Sequence, residues 1–219
     1  MPARVGNVPN ANHSHPAPGM DALAHTAVLA LGSNLGESET TLEQAAADLV
    51  HLSAGAVRLV GASGLYVTEP VGGPADQPDY INAILEVHTS LDPYALLALC
   101  QQVEAHHHRV RLVRWGPRTL DIDVITYDDL VSDDPALTLP HPRAHERAFV
   151  LVPWEQANPQ AVIPSRDAAT GEQTRHLVAD LARRVRAADE RAGVNAVRFM
   201  RDMNLPKNLF DSGAESEGV

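Results

Sequence analysis

The chain has 219 residues, and 44% of them are hydrophobic, which is enough for one globular domain with a sizeable core. Its formal net charge is −11 and it has no long run of Lys or Arg, so we expect no partner that is a nucleic acid or an anionic membrane surface. The single cysteine, Cys100, excludes an internal disulfide and indicates a core thiol in a reducing compartment. The apolar run at 26–32 is too short to span a bilayer and no signal peptide is recognisable, so a cytoplasmic protein is expected.

The first half of the chain alternates between strand and helix patterns. Residues 1–24 are rich in Pro, Asn, Gly and His, which predicts a disordered leader. From His25 the run AVLAL predicts a buried strand, and GSNLG at 32–36 follows it as a strand-to-helix turn that is only weak evidence for phosphate binding. The next patterns predict a helix over 39–52, a strand over 56–67, a loop over 69–79 and a strand over 80–89.

The fold class follows from the order of the predicted elements. Asp92 is a predicted N-cap with Pro93 in the first turn of a helix that runs to about His107. RWGP then breaks the chain before TLDIDVITY, the fourth strand. The order strand, helix, strand, strand, helix, strand predicts an α+β, ferredoxin-like domain: an antiparallel sheet with helices on one face and ligand loops on the other.

The remaining residues predict a smaller C-terminal part. A short helix is expected near 147–157, and an amphipathic helix over 174–191 with Leu177, Val178, Leu181 and Val185 on its apolar face. We therefore divide the chain into a leader over 1–24, a domain over 25–165, and a C-terminal helix with a frayed acidic tail over 166–219.

The pair Asp121 and Asp123 is the main candidate for chemistry. In a strand, side chains two residues apart share a face and lie roughly 7 Å apart, so the two carboxylates project together. They repel each other unless a cation lies between them, and Mg²⁺ takes one or two carboxylates together with water and phosphate oxygens. Two such ions could hold the oxygens of a phosphoryl transfer. The alternative is a pair of exposed aspartates at a sheet edge.

Arginines surround the acidic pair in the sequence. Guanidinium groups match phosphate geometry, and Gly116 and Pro117 in the same segment suggest a loop that closes over a substrate. The alternative is a solvated basic loop. No P-loop motif is present, so an enzyme of that class is excluded. The arginines concerned are Arg109, Arg111, Arg114 and Arg118.

Four stretches together resemble one family. The residues ALGSNLG, DQPDYINAI, RWGPRTLDIDVITY and LPHPRAHERAFVLVP closely resemble 6-hydroxymethyl-7,8-dihydropterin pyrophosphokinase, and the resemblance covers about residues 25–165. It agrees with the ferredoxin-like prediction. The resemblance implies transfer of the β,γ-pyrophosphoryl group of ATP, the co-substrate, to the hydroxymethyl group of a reduced pterin, which leaves AMP. The stretches lie at 30–36, 76–84, 114–127 and 139–153.

The resemblance also implies roles for individual residues. Asp121 and Asp123 would hold two Mg²⁺ ions, and Arg109 and Arg118 would be catalytic and face the phosphates. The implied pterin contacts are Thr68, Val71, Tyr80, Asn82, Trp115 and Phe149, with the ring between Tyr80 and Phe149. The implied ATP contacts are Gln101, Glu104, Arg109, Arg111, Trp115, Arg118, Thr138, His141 and Arg147.

Some positions depart from the family pattern. The segment between Arg111 and Arg114 is one residue shorter, with Leu112 where a lysine is frequent. Ala136 stands where the family can carry an arginine, and Pro142 replaces an aromatic residue. These changes concern ATP affinity and loop motion rather than the reaction. Two further departures are Glu69 in place of a proline and an added residue at Gly72–Gly73.

Two other functions fit the same residues. A Mg²⁺-dependent phosphohydrolase could use the acidic pair without a pterin, and a noncatalytic binding module could retain the fold. The intact Asp121, Asp123 and Arg118 argue against the second. We expect a monomer, although the apolar face of the C-terminal helix leaves an oligomer open.

Overall fold

The computed structural model describes residues 23–70, 76–108, 117–167, 169–192 and 197–210. The predicted leader and the acidic end therefore lie almost wholly outside the described residues. The strands are β1 (His25–Ser33), β2 (Val57–Ala62), β3 (Leu65–Thr68), β4 (Tyr80–Thr89), β5 (Asp121–Tyr127), β6 (Ser132–Asp134), β7 (Leu137–Leu139), β8 (Val162–Arg166), β9 (Gln173–Leu177) and β10 (Arg198–Arg201). The helices are α1 (Ser38–Leu52), α2 (Pro93–His106), α3 (Ala148–Ala157) and α4 (Val178–Ala192), with short 3-10 helices at Ala144–Glu146 and Lys207–Leu209.

An antiparallel sheet forms the centre of the structure. Its central strand, β1, pairs with β4 on one side and with β5 on the other. Strands β2 and β3 pair with successive parts of β4, and β10 pairs with the outer edge of β3. Two hairpins, β6–β7 and β8–β9, stand apart from this sheet. With α1 after β1 and α2 after β4, the predicted ferredoxin-like α+β order is confirmed.

Local sequence explains the best-predicted elements. Asp92 caps α2 because its carboxylate accepts hydrogen bonds from the main-chain N–H groups of Tyr94 and Ala95, both at 2.9 Å, and Pro93 begins the helix. Strand β4 has the predicted bounds. Leu120, just before β5, and Ile122 and Val124 within it face the buried core as predicted, which turns Asp121 and Asp123 to the other side of the sheet.

The two faces of the sheet carry separate cores. Helices α1 and α2 pack their apolar residues, including Leu42, Leu49 and Cys100, on one face, so the predicted core position of the thiol is confirmed. The other face was expected to carry loops, but α3 and α4 also cover part of it through a cluster that contains Trp154 and Ala182. The reason is that α3 is apolar around its circumference and must be buried between the sheet and α4.

Two element boundaries differ from the prediction. The strand predicted over 56–67 is two strands, because the Ser63 hydroxyl accepts a hydrogen bond from the Ile84 main chain and the Gly64 N–H donates to Gln156 instead of continuing the ladder. The helix predicted over 174–191 is wrong at its start. Residues 173–177 pair with β8, so α4 begins at Val178.

Residues 197–210, here called the C-terminal strap, close one edge of the sheet. Strand β10 pairs with β3, and Arg201 binds Glu39 and Glu43 of α1 at 2.7 Å each. Leu209 is buried in the α1–α2 core. The proposed division of the chain at residue 165 stays a prediction, but this strap beyond it is part of the main sheet. Among the helices of the described ranges, none has the length and apolar character needed to cross a membrane.

We expect Gly64→Ala to loosen the strap. A Cβ at Gly64 would lie 2.6 Å from Phe199 and 2.8 Å from the carbonyl oxygen of Arg201, and such overpacking costs about 1–3 kcal/mol. Denaturant unfolding should show this loss, and trypsin should cleave the variant faster in the strap. Gly61→Ala is the matched control because a Cβ there meets Glu86 at an ordinary 3.4 Å. Equal stability of the two variants would contradict this packing.

Candidate active site

Asp121 and Asp123 project together from β5, on the face opposite α1 and α2. The main-chain N–H between them, that of Ile122, donates a 2.7 Å hydrogen bond to the buried carboxylate of Glu104 on α2. This bond holds β5 against α2 and so fixes the direction of the aspartate pair. Burial, followed by the charge of Asp121, raises the pKa of Asp123, while His141, Arg147 and Arg118 lower it. The net rise means that the folded chain disfavours the charged form of Asp123, chiefly because the carboxylate is buried and to a lesser extent because Asp121 is close.

Three cationic or potentially cationic groups surround the pair. The guanidinium of Arg118 bonds to the carboxylate of Asp121. A guanidinium nitrogen of Arg147 and Nε2 of His141 each lie 3.9 Å from Oδ2 of Asp123. Burial lowers the pKa of Arg147, which Asp123 partly offsets. Acidic and basic side chains therefore lie together on this face of the sheet, in the region here called the cleft.

His141 presents a hydrogen-bond donor to this cleft. Burial lowers the pKa of His141, which favours the neutral form of the ring. Its Nδ1 accepts the main-chain N–H of Arg143 at 3.3 Å. In a neutral imidazole the other nitrogen then carries the proton, so Nε2–H faces Asp123. Such a donor suits a phosphate oxygen.

Strand register places a second group of candidates beside the acidic pair. Gly32 of β1 is opposite Asn82 of β4 on one side and opposite Asp121 of β5 on the other. Residues in direct register share a face, and two strand spacings put the main chains of Asn82 and Asp121 about 10 Å apart. Gly32 has no side chain, so the floor between them is clear. A Cβ at this position would lie 3.4 Å from Oδ1 of Asn82.

Thr68 sets the orientation of Asn82. The Asn82 amide nitrogen donates to the Thr68 hydroxyl at 2.8 Å, and both residues are buried. The amide oxygen is thereby turned toward Gly32 and the cleft. This amide can accept a hydrogen bond from a flat heterocycle that lies on the glycine.

Two aromatic candidates flank this floor. Burial raises the pKa of Tyr80, and both Arg118 and Asp121 are close enough to influence it. Phe149 is the second residue of α3 and packs partly against the core under that helix. The Arg147 guanidinium lies 5.3 Å from the centre of the Phe149 ring, which links this ring to the acidic pair.

Other predicted residues lie farther from the cleft or outside the described ranges. Gln101 is on the exposed side of α2, one turn before Glu104, and the Thr138 hydroxyl donates to the Asp134 carbonyl at 3.0 Å. Glu104 supports β5 through the bond already described. The predictions for Val71, Arg109, Arg111 and Trp115 fall outside the described residues.

One residue at the site was missed. Asn34, in the GSNLG turn, is buried and bonds to both Arg118 and Pro78, which lie in the two loops that lead into the site. Gly32 in the same motif was noted only as part of a turn. The available signal was a polar residue directly after a buried strand, but its partners are distant in sequence and could not be identified from that pattern.

The donor set of the cleft suits a hard cation. Two carboxylates on one face offer oxygen ligands of the kind that Mg²⁺ prefers. Throughout the described ranges, no group of three or more His, Cys, Asp or Glu side chains is placed to hold a metal ion. A cation between Asp121 and Asp123 would therefore take further oxygens from water or from a bound phosphate.

Comparison with known proteins identifies the family. The family model for 7,8-dihydro-6-hydroxymethylpterin-pyrophosphokinase (HPPK) matches residues 28–159. The chain belongs to this family. The match includes β1 to α3 and therefore every described residue of the cleft, and it confirms the resemblance found in the sequence.

Individual relatives agree with the family match. The 2-amino-4-hydroxy-6-hydroxymethyldihydropteridine pyrophosphokinase of Bacillus subtilis is 43% identical over 147 residues, which cover 67% of this chain and 86% of the relative. The protein of the same name from Methylorubrum extorquens is 42% identical, with 71% of this chain and 92% of the relative covered. A solved Plasmodium falciparum HPPK-DHPS with pteroate has a TM-score of 0.55 at 14% identity, over 78% of this chain and 44% of the other. This last likeness supports the fold alone.

We expect Asp123→Asn to stabilise the chain when divalent metal is removed by a chelator. Because the folded-state pKa of Asp123 is raised, ionisation lowers stability as pH rises from the ordinary value of 3.8, and the loss is complete above the folded-state pKa. The variant should melt a few degrees higher than the parent near pH 7, and the difference should vanish at low pH. Glu190→Gln, which removes an exposed carboxylate on α4, should leave the melting temperature unchanged. A lower melting temperature for Asp123→Asn near pH 7 would contradict the conclusion that the charged form of Asp123 is disfavoured in the folded chain.

Proposed function

We propose that this member of the HPPK family transfers the β,γ-pyrophosphoryl group of ATP to 6-hydroxymethyl-7,8-dihydropterin with the help of two Mg²⁺ ions at Asp121 and Asp123. The products are the pterin diphosphate and AMP, and the reaction is a step of folate biosynthesis. Family membership supports the reaction. The observation that carries the site assignment is the register at Gly32, which puts Asn82 and Asp121 on either side of a side-chain-free floor.

The half of the cleft near β4 is proposed to bind the pterin. A flat heteroaromatic ring gains from stacking between two aromatic faces, and Tyr80 and Phe149 would supply them. The fixed amide of Asn82 would bond to the polar edge of the ring, with Thr68 as its support. Val71 and Trp115 remain proposed pterin contacts on the strength of the resemblance.

The half near β5 is proposed to bind the triphosphate. Arg118, Arg147 and the Nε2–H of His141 are directed toward the acidic pair and would bond to phosphate oxygens once ATP is present. Gln101, Glu104, Thr138, Arg109, Arg111 and Trp115 complete the proposed ATP contacts. The shortened arginine loop and Ala136 would change ATP affinity rather than the reaction.

The proposed reaction is an in-line displacement at the β-phosphorus. The pterin hydroxyl oxygen forms a bond to this phosphorus while the bond to the oxygen of AMP breaks, and the hydroxyl proton is released to water. When bound, Mg²⁺ would supply charge neutralisation at the phosphate oxygens. Arg118 would exchange its bond to Asp121 for a bond to the transferred pyrophosphoryl group and stabilise the charge that develops there. Asn82, Tyr80 and Phe149 would orient the pterin hydroxyl. Orientation and charge stabilisation would provide most of the acceleration.

The decisive test is AMP formation from ATP by the full chain. We expect AMP only when both Mg²⁺ and the hydroxymethyl pterin are present. AMP or phosphate release that does not need the pterin would favour the phosphohydrolase, and no AMP under any condition would favour the binding module. A cytoplasmic location and a monomeric state belong to the same proposal, and sedimentation of the purified chain tests the latter.

We expect Asp123→Ala and Arg118→Ala each to reduce turnover by roughly 10²-fold or more. The first would remove a metal ligand and the second a donor to the transferred group, and circular dichroism should show an intact fold. Steady-state rates at saturating Mg²⁺ measure the effect, with Glu190→Gln as the surface control. Near-normal turnover of Asp123→Ala would reject the metal assignment.

Phe149→Ala should weaken pterin binding by about tenfold, since one stacking face is lost. Calorimetry with a nonhydrolysable ATP analogue already bound measures this affinity. Titration of the same variant with the analogue alone is the internal control and should match the parent chain. An unchanged pterin affinity would reject the proposed stacking.

A further inference from the structure

Asn34 lies in the turn between β1 and α1, where the loops that lead into β4 and β5 approach each other. Its side chain is 3% exposed, and three of its polar groups bond to those two loops. We propose that Asn34 is a positioning residue that sets the distance between the phosphate-side loop, residues 117–120, and the pterin-side loop, residues 76–79. This role rests on the proposed function and adds a residue to it.

Asn34 holds the phosphate-side loop through two hydrogen bonds to one residue. Its main-chain N–H donates to the carbonyl oxygen of Arg118 at 3.0 Å, and its Oδ1 accepts the main-chain N–H of Arg118 at 2.8 Å. The backbone of Arg118 is therefore held on both sides of its Cα atom. This backbone sets the direction in which the Arg118 side chain extends toward Asp121.

The same side chain holds the pterin-side loop. Its Nδ2 donates to the carbonyl oxygen of Pro78 at 3.1 Å and, with weaker geometry, to Oε1 of Gln77 at 3.5 Å. Pro78 comes two residues before Tyr80, where β4 begins. One planar amide thus joins the segment that carries Arg118 to the segment that carries Tyr80.

The chemistry of these contacts requires an amide. Asparagine offers one acceptor and one donor group from a rigid plane, which matches the Arg118 N–H and the Pro78 carbonyl. An aspartate keeps the acceptor but turns a second oxygen toward that carbonyl, so it breaks only the link to the pterin-side loop. An alanine breaks both side-chain links. Because the site is buried, water does not replace the lost bonds.

The spacing of the two loops matters for the reaction step. The pterin hydroxyl is oriented from the β4 side, and the charge of the transferred group is stabilised by Arg118 from the β5 side. Displacement of reacting groups by about 1 Å can reduce a rate by roughly 10²-fold. Loss of the link should therefore lower kcat more than it raises the KM of either substrate.

The first test is the steady-state kinetics of Asn34→Asp in the full chain. We expect a decrease in kcat of roughly 10- to 100-fold, with smaller changes in both KM values. The matched control is Asn158→Ala, at the C-terminal end of α3. It removes an amide that donates to both carboxylate oxygens of Glu86 at 3.2 Å. That control should lower the melting temperature and leave kcat unchanged. A kcat within threefold of the parent for Asn34→Asp overturns the proposal.

The second test asks whether Asn34 acts through Arg118. In an Arg118→Ala background, Asn34→Asp should reduce kcat by a much smaller factor than in the parent, because the guanidinium that Asn34 positions has already been removed. The same factor in both backgrounds overturns the proposal. If Asn34→Asp does not fold, Asn34→Ala is used for the same two comparisons.

Hydrogen exchange separates this inference from the proposed function. Asn34→Ala should raise amide exchange in both loops, 76–79 and 117–120, whether or not the parent chain forms AMP. An inactive parent chain would reject the proposed function alone. Unchanged exchange in either loop, or an active parent with an equally active Asn34→Asp, would reject the positioning role alone.

Discussion

Two like charges held on one face of a strand are the constraint on which the site depends. Burial and, to a lesser extent, repulsion by Asp121 raise the pKa of Asp123. The chain keeps them together because β5 is tied on its other face to the buried Glu104 and to the α1–α2 core. His141, Arg147 and Arg118 offset this rise only in part, and two carboxylates on one face offer oxygen ligands of the kind that a hard cation prefers.

The central strand makes this cleft usable by leaving part of it without side chains. Gly32 stands between Asn82 and Asp121, and under the proposed function a ring and a triphosphate would approach this floor from opposite sides. The neighbouring Asn34 is buried and joins the two loops above that floor. A short segment of β1 and its turn therefore shape the site through strand pairing and loop contacts.

The C-terminal strap extends the fold beyond the residues that match the family. The family match ends at residue 159, yet β10 covers the exposed edge of β3 and Arg198 lies 3.1 Å from Asp79 in the pterin-side loop. An ion pair between exposed side chains contributes little by itself, so the strap is held chiefly by its strand pairing, by Arg201 and by buried Leu209. With β10 added, the edge of the sheet is a strand of four residues that begins and ends with arginine, and short, charged edges discourage pairing with other chains.

The sequence by itself determined the elements whose signals are local. The cap at Asp92, the alternation of β4 and the shared face of Asp121 and Asp123 all depend on neighbours within a few residues, and so does the order of strands and helices that predicts the fold. Four motifs in order determined the family. Tertiary structure alone decided which strands face each other across Gly32, where α3 and α4 pack, and what Asn34 binds. Those outcomes depend on register and on partners far apart in the chain, and a sequence pattern does not contain those distances.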